Sequence, residues 1–528
     1  MGNEPGTDLV LTIDLGTSGP KTAVFTADGD YLDGEFEPVD LVLSDGGGAE
    51  QRPGDWWAGV VAGARRLRER GALPDRPAAI SVTSQWSGTV VVDHDGEPLA
   101  DSLIWMDARG AEEIAGLARG RLKVQGYDPR MLRRWIALTG GAPSLSGKDP
   151  LAHILWLRRH RPELSERTWK YLEPKDWLNL KLSGRCVATY DSIVVHWVTD
   201  NRDPSNVRYS PELLDMVGLE REWLPDLVPA TSVIGFLTDA AALELGVHAG
   251  IPVIGGTPDV QSAAIGSGAV GDFEGHLYLG TSSWLTCHVP FKKTDLLHGV
   301  ASLPAPLPGR YFVADEQETA GACLNWLRDN VLYPEDEMGA GPAPGDVFAR
   351  IDRVAAGSPP GANGVIFTPW LNGERTPVDD HTIRAGWHNV SLRTDRADMV
   401  RAVLEGVAFN SRWLLGCVER FCGRPFLWIN VIGGGGQSEL WAQIHADVLD
   451  RPIRRVANPI RANARGAALL AGVALGRVDV ADLDTLVEVI AVHEPDPANR
   501  RRYDELYSVF RGIYKQNKGL HRRLNAHR

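Results

Sequence analysis

No apolar run in this chain approaches the ~18 residues that a membrane-spanning helix needs, and residues 1–7 are polar, so neither a span nor a signal peptide is expected. Cysteine is scarce: five residues in 528, at positions 186, 287, 323, 417 and 422. They form no Cys-x-x-Cys pair and have no histidines at zinc-finger spacing, which excludes a disulfide framework and a zinc finger and predicts buried free thiols in a reducing cytoplasm. Positive charge is in deficit. With 55 Lys and Arg against 68 Asp and Glu, the net charge of −13 argues against nucleic acid or an anionic membrane as the main partner. Any anion must be drawn by a local site.

Aromatic residues are 8% of the chain, yet seventeen of them are tryptophans, and core filling is the expected use for most. The length is too great for one hydrophobic core, so at least two large α/β domains are expected. The opening stretch shows how they are built. Leu9 to Ile13 is apolar and β-branched, Gly16 and Gly19 permit a tight turn, and Thr22 to Phe25 returns as a second strand. Gly16, Thr17 and Ser18 offer backbone N–H groups and hydroxyls, and Lys21 adds a positive charge. Asp14, at the end of the first strand, is placed to hold a metal ion against a polyphosphate.

The tetrapeptide Leu15-Gly16-Thr17-Ser18 returns as Leu279-Gly280-Thr281-Ser282, again between two apolar strands and half the chain length further on. Two similar domains, each offering a glycine hairpin to one nucleotide, would produce that echo. Near the junction, Gly250 to Asp259 reads as a strand running into a helix that starts at Val260, so Asp259 sits at a strand end and a helix N-terminus together. A carboxylate there can take a proton from a substrate hydroxyl. Gly266-Ser-Gly268-Ala-Val-Gly271 matches G-x-G-x-x-G, but it follows a helix and precedes a strand, so the dinucleotide reading and the oxidoreductase it implies fail on context.

Elsewhere, Ala78 to Thr83 reads as a strand ending at Ser84-Gln85-Trp86-Ser87-Gly88, polar residues where ligands sit in open α/β sheets. Asp107 and Arg109 precede a helix and read either as cap and surface ion pair or as functional groups. Residues 120–230 read as mostly helical, and His153 and His160 within them receive no role. A strand from Leu427 to Ile432 runs into Gly433 to Gly436, which let a flat ring approach the backbone. Arg461 to Gly466 opens a helix read over Ala467 to Leu475. From Tyr503 the apolar spacing predicts an amphipathic helix, with a solvated or frayed basic end from Lys515.

These motifs, in this order, resemble the FGGY family of carbohydrate kinases, nearest in pattern to xylulokinases and over nearly the whole chain. The segments that carry the likeness are Asp14-Leu-Gly-Thr-Ser-Gly-Pro-Lys21, Glu50-Gln-Arg-Pro-Gly-Asp-Trp-Trp57, Trp105-x-Asp107-x-Arg109, Pro174-Lys-Asp-Trp177, Asp259, Leu279-Gly-Thr-Ser282, Leu371-Asn-Gly-Glu-Arg-Thr-Pro377 and Gly433-Gly-Gly-Gly-Gln-Ser-Glu439. The resemblance implies two ribonuclease-H-like domains of the actin and hexokinase type flanking a cleft: 1–256 on the sugar side, 257–490 on the nucleotide side, then a helix and tail over 491–528. It implies ATP and magnesium as cofactors, Asp259 as catalytic base and Asp14 as the metal-organising acid. Gly16, Thr17, Ser18 and Lys21, with Gly280, Thr281 and Ser282, match the phosphate hairpins. Gly321 and Asn325 match positions beside the nucleotide, and Gly434, Gly435, Gly436 and Ser438 the adenine-side loop.

Gln85, Trp86, Ser87, Asp259 and Val260 fall on the substrate side. There the chain departs from the family, with Gln85-Trp86-Ser87-Gly88 where xylulokinases carry Gln-Met-His-Gly, and with Val260 after the base. The expected activity is ATP-dependent phosphorylation of a hydroxyl of a ketose or polyol, by a cytoplasmic protein and possible homodimer. A catalytically idle ATP- and sugar-binding regulator and an actin-like filament protein are the competing readings. The presence of both Asp14 and Asp259 argues against the first, and a filament has no use for Asp259.

Overall fold

The computed structural model describes residues 8–339 and 341–525. Residues 1–7, where no signal peptide was expected, and 526–528, the end of the basic tail, lie outside them. Two sheets of matching topology organise the chain. The first has six strands in the spatial order Val233–Phe236, Pro252–Pro258, Ala79–Ser84, Leu9–Gly16, Gly19–Thr26 and Tyr31–Phe36. Its three central strands, Pro252–Pro258, Ala79–Ser84 and Leu9–Gly16, run parallel, while the glycine hairpin closes one side antiparallel. The second has five, in the order Ser283–Thr286, Gly275–Leu279, Ile429–Ile432, Ile453–Val456 and Val489–His493. It repeats the pattern of hairpin, parallel, parallel and antiparallel neighbours. The half-chain echo in the sequence is thus a duplicated sheet, with one extra edge strand in the first copy.

The first hairpin owes its shape to particular residues. Gly16 pairs with Gly19 at the tip, and Gly19 sits at φ +136°, where an added Cβ would lie 1.9 Å from the Glu37 carbonyl oxygen. No side chain fits there. Pro20 has no N–H to give the ladder, and its carbonyl accepts the Glu37 N–H at 3.1 Å. The following helix, Pro53–Glu69, starts on proline, whose fixed φ suits a first helical position, and buries Trp56, Val60 and Leu67 against this sheet. Trp56, Trp135, Trp177, Trp370 and Trp441 are fully buried, in keeping with core filling.

Five local expectations need correcting. Residues 120–230 alternate helices (Pro129–Thr139, Pro150–His160, Pro174–Ser183, Pro211–Val217) with two- and three-residue strands, too short to read from a period. The helix read from Ala467 begins at Ala462, and the last helix, Pro497–Asn525, continues through the basic end, where Asn525 Nδ2 donates to the Thr382 carbonyl at 2.9 Å. Cys186 is only half-buried, while the other four cysteines are buried and all five are free. Asp107 and Arg109 form neither cap nor surface pair. Asp107 is buried and accepts from Ala49 N at 2.9 Å, while Arg109 Nη2 bridges Asp107 and Glu50 at 2.6 and 2.7 Å. His153 proves structural, buried between the Thr89 hydroxyl and the Asp107 carbonyl. No helix among the described residues is long and apolar enough to cross a membrane.

One helix joins the lobes. Ala462–Ala474 comes from the second half of the chain, yet it crosses the helix Asp259–Gly266 and lies against the central strands of the first sheet. That crossing sets the floor of the cleft between the two hairpins.

Candidate active site

Asp259 owes its place to a bulge. The pairing of Pro252–Pro258 with Ala79–Ser84 slips between Ile254 and Thr257, and Gly256 takes φ +70° with its Cα against Val82, where a Cβ would meet the carbonyl oxygen at 2.0 Å. A bulge bends and ends a strand, and here it delivers Asp259 as the first residue of the Asp259–Gly266 helix. The side chain does not cap that helix in the usual way; its Oδ1 accepts the adjacent Val260 N–H, at 2.8 Å. Burial pushes the carboxyl up to about 7, the Asp14 and Glu316 charges push the same way, and the Val260 N–H and Lys21 oppose them. A carboxylate poised near neutrality can gain and lose a proton at working pH.

Asp14 and Lys21 face each other across the first hairpin. Asp14 is 2% exposed, its Oδ2 lies 3.2 Å from Lys21 Nζ, and its buried Oδ1 has no partner among the described residues. Lys21 is half exposed and is held protonated above its ordinary range, chiefly by Asp14. Gly16 and Thr17 are half-buried and Ser18 is exposed at the tip. Thr17 turns its hydroxyl inward: Oγ1 donates to Gln85 Oε1 at 3.1 Å and accepts from Trp105 Nε1 at 2.9 Å. Gln85 Nε2 continues to Gln51 Oε1 at 2.9 Å, and Gln51 Nε2 returns to the Thr17 carbonyl at 2.7 Å. The first hairpin and the substrate-side loop are therefore one hydrogen-bonded unit.

The second hairpin is stitched to the helix Gly321–Leu327. Gly321 N–H donates to the Gly280 carbonyl at 2.7 Å, and Ala320 and Ala322 donate to that of Thr281 at 2.9 and 3.1 Å. A Cβ at Gly321 would stand 2.5 Å from the Gly280 oxygen. Gly280 N–H donates to the Ser282 carbonyl at 3.1 Å, leaving Thr281 exposed at the tip and Ser282 half-buried. Asn325, half-buried, lies one turn beyond Gly321. Beneath the hairpin, Tyr278 stacks on Trp284 with centroids 3.9 Å apart. Gly433, at φ +83°, packs beside the same tyrosine ring; Gly434 faces open space, Gly435 meets Trp441, and Gly436 meets Pro459. Arg455 secures this loop through the Gly436 and Gln437 carbonyls at 3.1 and 2.9 Å. Ser438 caps the next helix, accepting from Trp441 N at 2.9 Å.

Family models for the FGGY carbohydrate kinases match residues 9–266 with the N-terminal domain and 276–475 with the C-terminal domain. The chain belongs to the FGGY family of carbohydrate kinases. Among its curated relatives, the xylulose kinase of Staphylococcus epidermidis (strain ATCC 35984) is 29% identical over 97% of this chain and 98% of its own. The erythritol kinase of Brucella abortus is also 29% identical, over 96% of this chain and 95% of its own. The crystal structure of xylulose kinase from Rhodospirillum rubrum superposes with a TM-score of 0.81 at 26% identity, covering 97% of this chain and 99% of that one. The fold is the two-domain actin and hexokinase type expected from the motifs, and the protein is an ATP-dependent carbohydrate kinase.

At the positions expected to meet substrate, Trp86 Nε1 donates to the Ser192 carbonyl at 2.9 Å, and Ser87 sits at φ +64°. Gly88 N–H donates to Glu173 Oε2 at 3.0 Å, which pins the turn. Val260 is half-buried and packs on Ala264, Ala305 and Phe312. Two further groups reach the cleft that motif reading did not place there. Glu316 bears on Asp259, and Arg375 pairs with Glu316 and Glu318 while its guanidinium lies 5.3 Å over the Trp105 ring. Trp105 in turn holds Thr17, so Arg375 connects the second lobe to the first hairpin. Arg375 lay in a quoted motif, but no motif covers Glu316 or Glu318, and their place depends on a contact between distant segments.

Proposed function

We propose that this kinase transfers phosphate to a hydroxyl of a short ketose or polyol, with Asp259 as general base. The observation that carries the reading is the position of Asp259: its carboxyl shares one electrostatic neighbourhood with Asp14 and Lys21 of the first hairpin and with Tyr278 and Glu316 of the second lobe. Bound ATP with its magnesium would supply the phosphoryl group and the positive charge that steadies it. The residues present fit that pair. The buried Oδ1 of Asp14 has no hydrogen-bond partner among the described residues and is available to a cation or to a water held by one. Among the described residues no cluster of three or more carboxylate, histidine or cysteine side chains could cage a metal. Magnesium suits such a sparse site, since it is commonly held by one or two carboxylates together with substrate phosphates.

Asp259 would accept the hydroxyl proton, and its elevated affinity for protons makes it an effective acceptor near pH 7. The exposed tips of the two hairpins, Ser18 and Thr281, and the open Gly434 are the positions for phosphate and adenine. Arg375, through Trp105 and Thr17, would hold the lobes in register and keep water from the reacting groups.

The substrate class follows from which polar atoms remain uncommitted. Gln85 has its amide engaged by Thr17 and Gln51, Trp86 has its N–H engaged by Ser192, and Val260 has none to offer. Ser87 and Asp259 are left to meet substrate hydroxyls. Each buried hydroxyl without a partner costs about 1–3 kcal/mol, roughly 10- to 100-fold in kcat/KM. Release of ADP is therefore expected to be faster with tetritols and pentuloses than with hexuloses, in a panel that also includes glycerol. Equal rates with hexuloses would refute the size preference. Nucleotide-induced thermal shifts without ADP from any member would favour an idle regulator instead.

A further inference from the structure

The segment Pro174-Lys-Asp-Trp177 takes no part in the site above, yet it forms a buried ionic cluster directly behind it. Lys175, Asp176 and Asp191 are 1%, 0% and 0% exposed. Lys175 Nζ pairs with Asp176 Oδ1 and donates to the Gly255 carbonyl at 3.0 Å, a carbonyl that Asn179 Nδ2 also reaches at 2.8 Å. Gly255 belongs to the bulge that aims Asp259. Asp191 Oδ2 accepts the hydroxyl of Thr257, and the Asp191 carbonyl lies 3.5 Å from Gln261 Nε2. The base is thus braced at positions 255, 257 and 261. Next to Asp191, Ser192 Oγ donates to Asp176 Oδ2 at 3.1 Å, and the Ser192 carbonyl is the acceptor for Trp86 Nε1 at 2.9 Å.

Burying one ammonium and two carboxylates costs several kcal/mol per ion, and well-packed apolar side chains would often give equal or greater stability. Stability alone therefore does not account for the cluster. What it provides is a fixed relation between two places that must act on one molecule. The geometry points to Lys175, Asp176 and Asp191 as a positioning platform that holds the base Asp259 and the substrate-side Trp86 in a single frame. None of the three touches the reacting atoms. This inference rests on the kinase reading.

Two single changes test it at the margins of the cluster. Thr257→Val removes one hydroxyl and keeps the side-chain shape; Lys175→Met removes the buried charge. Both are expected to leave KM for ATP within about two-fold and to lower kcat on the best acceptor by about ten-fold or more, because small misplacement of a catalytic group is costly. Trp86→Phe, which deletes the N–H to Ser192, should raise KM for the acceptor. Combined with Thr257→Val it should fall at least about three-fold short of, or beyond, the product of the single effects, since both act on one network. Wild-type kcat in Thr257→Val, or strictly multiplicative effects, would overturn the platform. Crystal structures of Thr257→Val and Lys175→Met give a readout independent of turnover: displaced Asp259 and Trp86 side chains support it, and unmoved ones in both variants refute it. An inactive wild type would refute the kinase reading alone, and the structures would still decide the platform.

Discussion

Asp259→Asn is expected to lower kcat by about 10²–10⁴-fold, the usual contribution of a positioned general base, while ATP binding stays near the wild-type value. Asparagine keeps an oxygen for the Val260 N–H, the one hydrogen bond that Asp259 makes among the described residues, so the helix start is preserved and only the proton acceptor is lost. The hairpins at 16–18 and 280–282 and the glycine loop at 433–436 lie on other elements and are untouched. Steady-state kinetics with isothermal titration of ATP separates the two. Turnover within five-fold of wild type would remove Asp259 from the role.

The same variant carries a pH signature whose sign follows from the raised pKa. Asp259 binds its proton more tightly folded, at about 7, than unfolded, where 3.8 applies. The folded state therefore holds more protons between these values, and stability falls as pH rises from about 4 to about 7. Asparagine has no such loss. In the protein free of nucleotide and metal, Asp259→Asn should melt with the wild type near pH 4 and above it at pH 8. Activity runs the other way, since the base must be ionised to work, so wild-type turnover should decline as pH drops below about 7. Stability and function thus pull against each other at this residue, as is common where a charge is kept in a cleft for chemistry.

Much of this site was legible because it rests on local patterns. The repeated Leu-Gly-Thr-Ser tetrapeptide marks both hairpins, and a strand running into a helix marks Asp259; each needs only a dozen neighbouring residues. What escaped depends on distant partners. The Gly255–Gly256 pair read as plain strand, because a bulge shows itself only against Val82 on the neighbouring strand. Thr17 carried a hydroxyl suited to phosphate, and nothing local says that Gln85 and Trp105 engage it. The strands of 120–230 are two or three residues long, too short for a period to announce them, and one of them, Lys170–Leu172, pairs outside the region with Val90–Val92. Context argues against Gly266 as a nucleotide glycine, but its packing use lies far along the chain: an added Cβ would sit 1.8 Å from the Ala462 oxygen.

That crossing yields the second large effect, and Gly466 is the place to measure it. Gly466→Ala would set a methyl 1.9 Å from the Ser262 carbonyl oxygen and 2.7 Å from its carbon. Alanine favours an α-helix over glycine by about 0.5–1 kcal/mol, so helix propensity alone predicts stabilisation. The overlap opposes it. Both obstacles are backbone, no rotamer relieves them, and overpacking of this kind costs about 1–3 kcal/mol when the structure can shift and more when it cannot. The helices are also tied by Ser262 Oγ to the Asn463 carbonyl and Arg465 Nε to the Gly266 carbonyl, each at 2.7 Å, which resists separation. Net destabilisation is therefore expected for Gly466→Ala, and loss of soluble protein for Gly466→Val. Gly512→Ala is the control: it lies in the Pro497–Asn525 helix with nothing within 4 Å of its added methyl, and should raise the melting temperature. Because Asp259 begins the helix that Gly466 would push, the surviving Gly466→Ala protein should lose kcat more than its ATP affinity. Equal melting of Gly466→Ala and Gly512→Ala would mean that the two helices do not meet this closely and that the cleft floor is built otherwise.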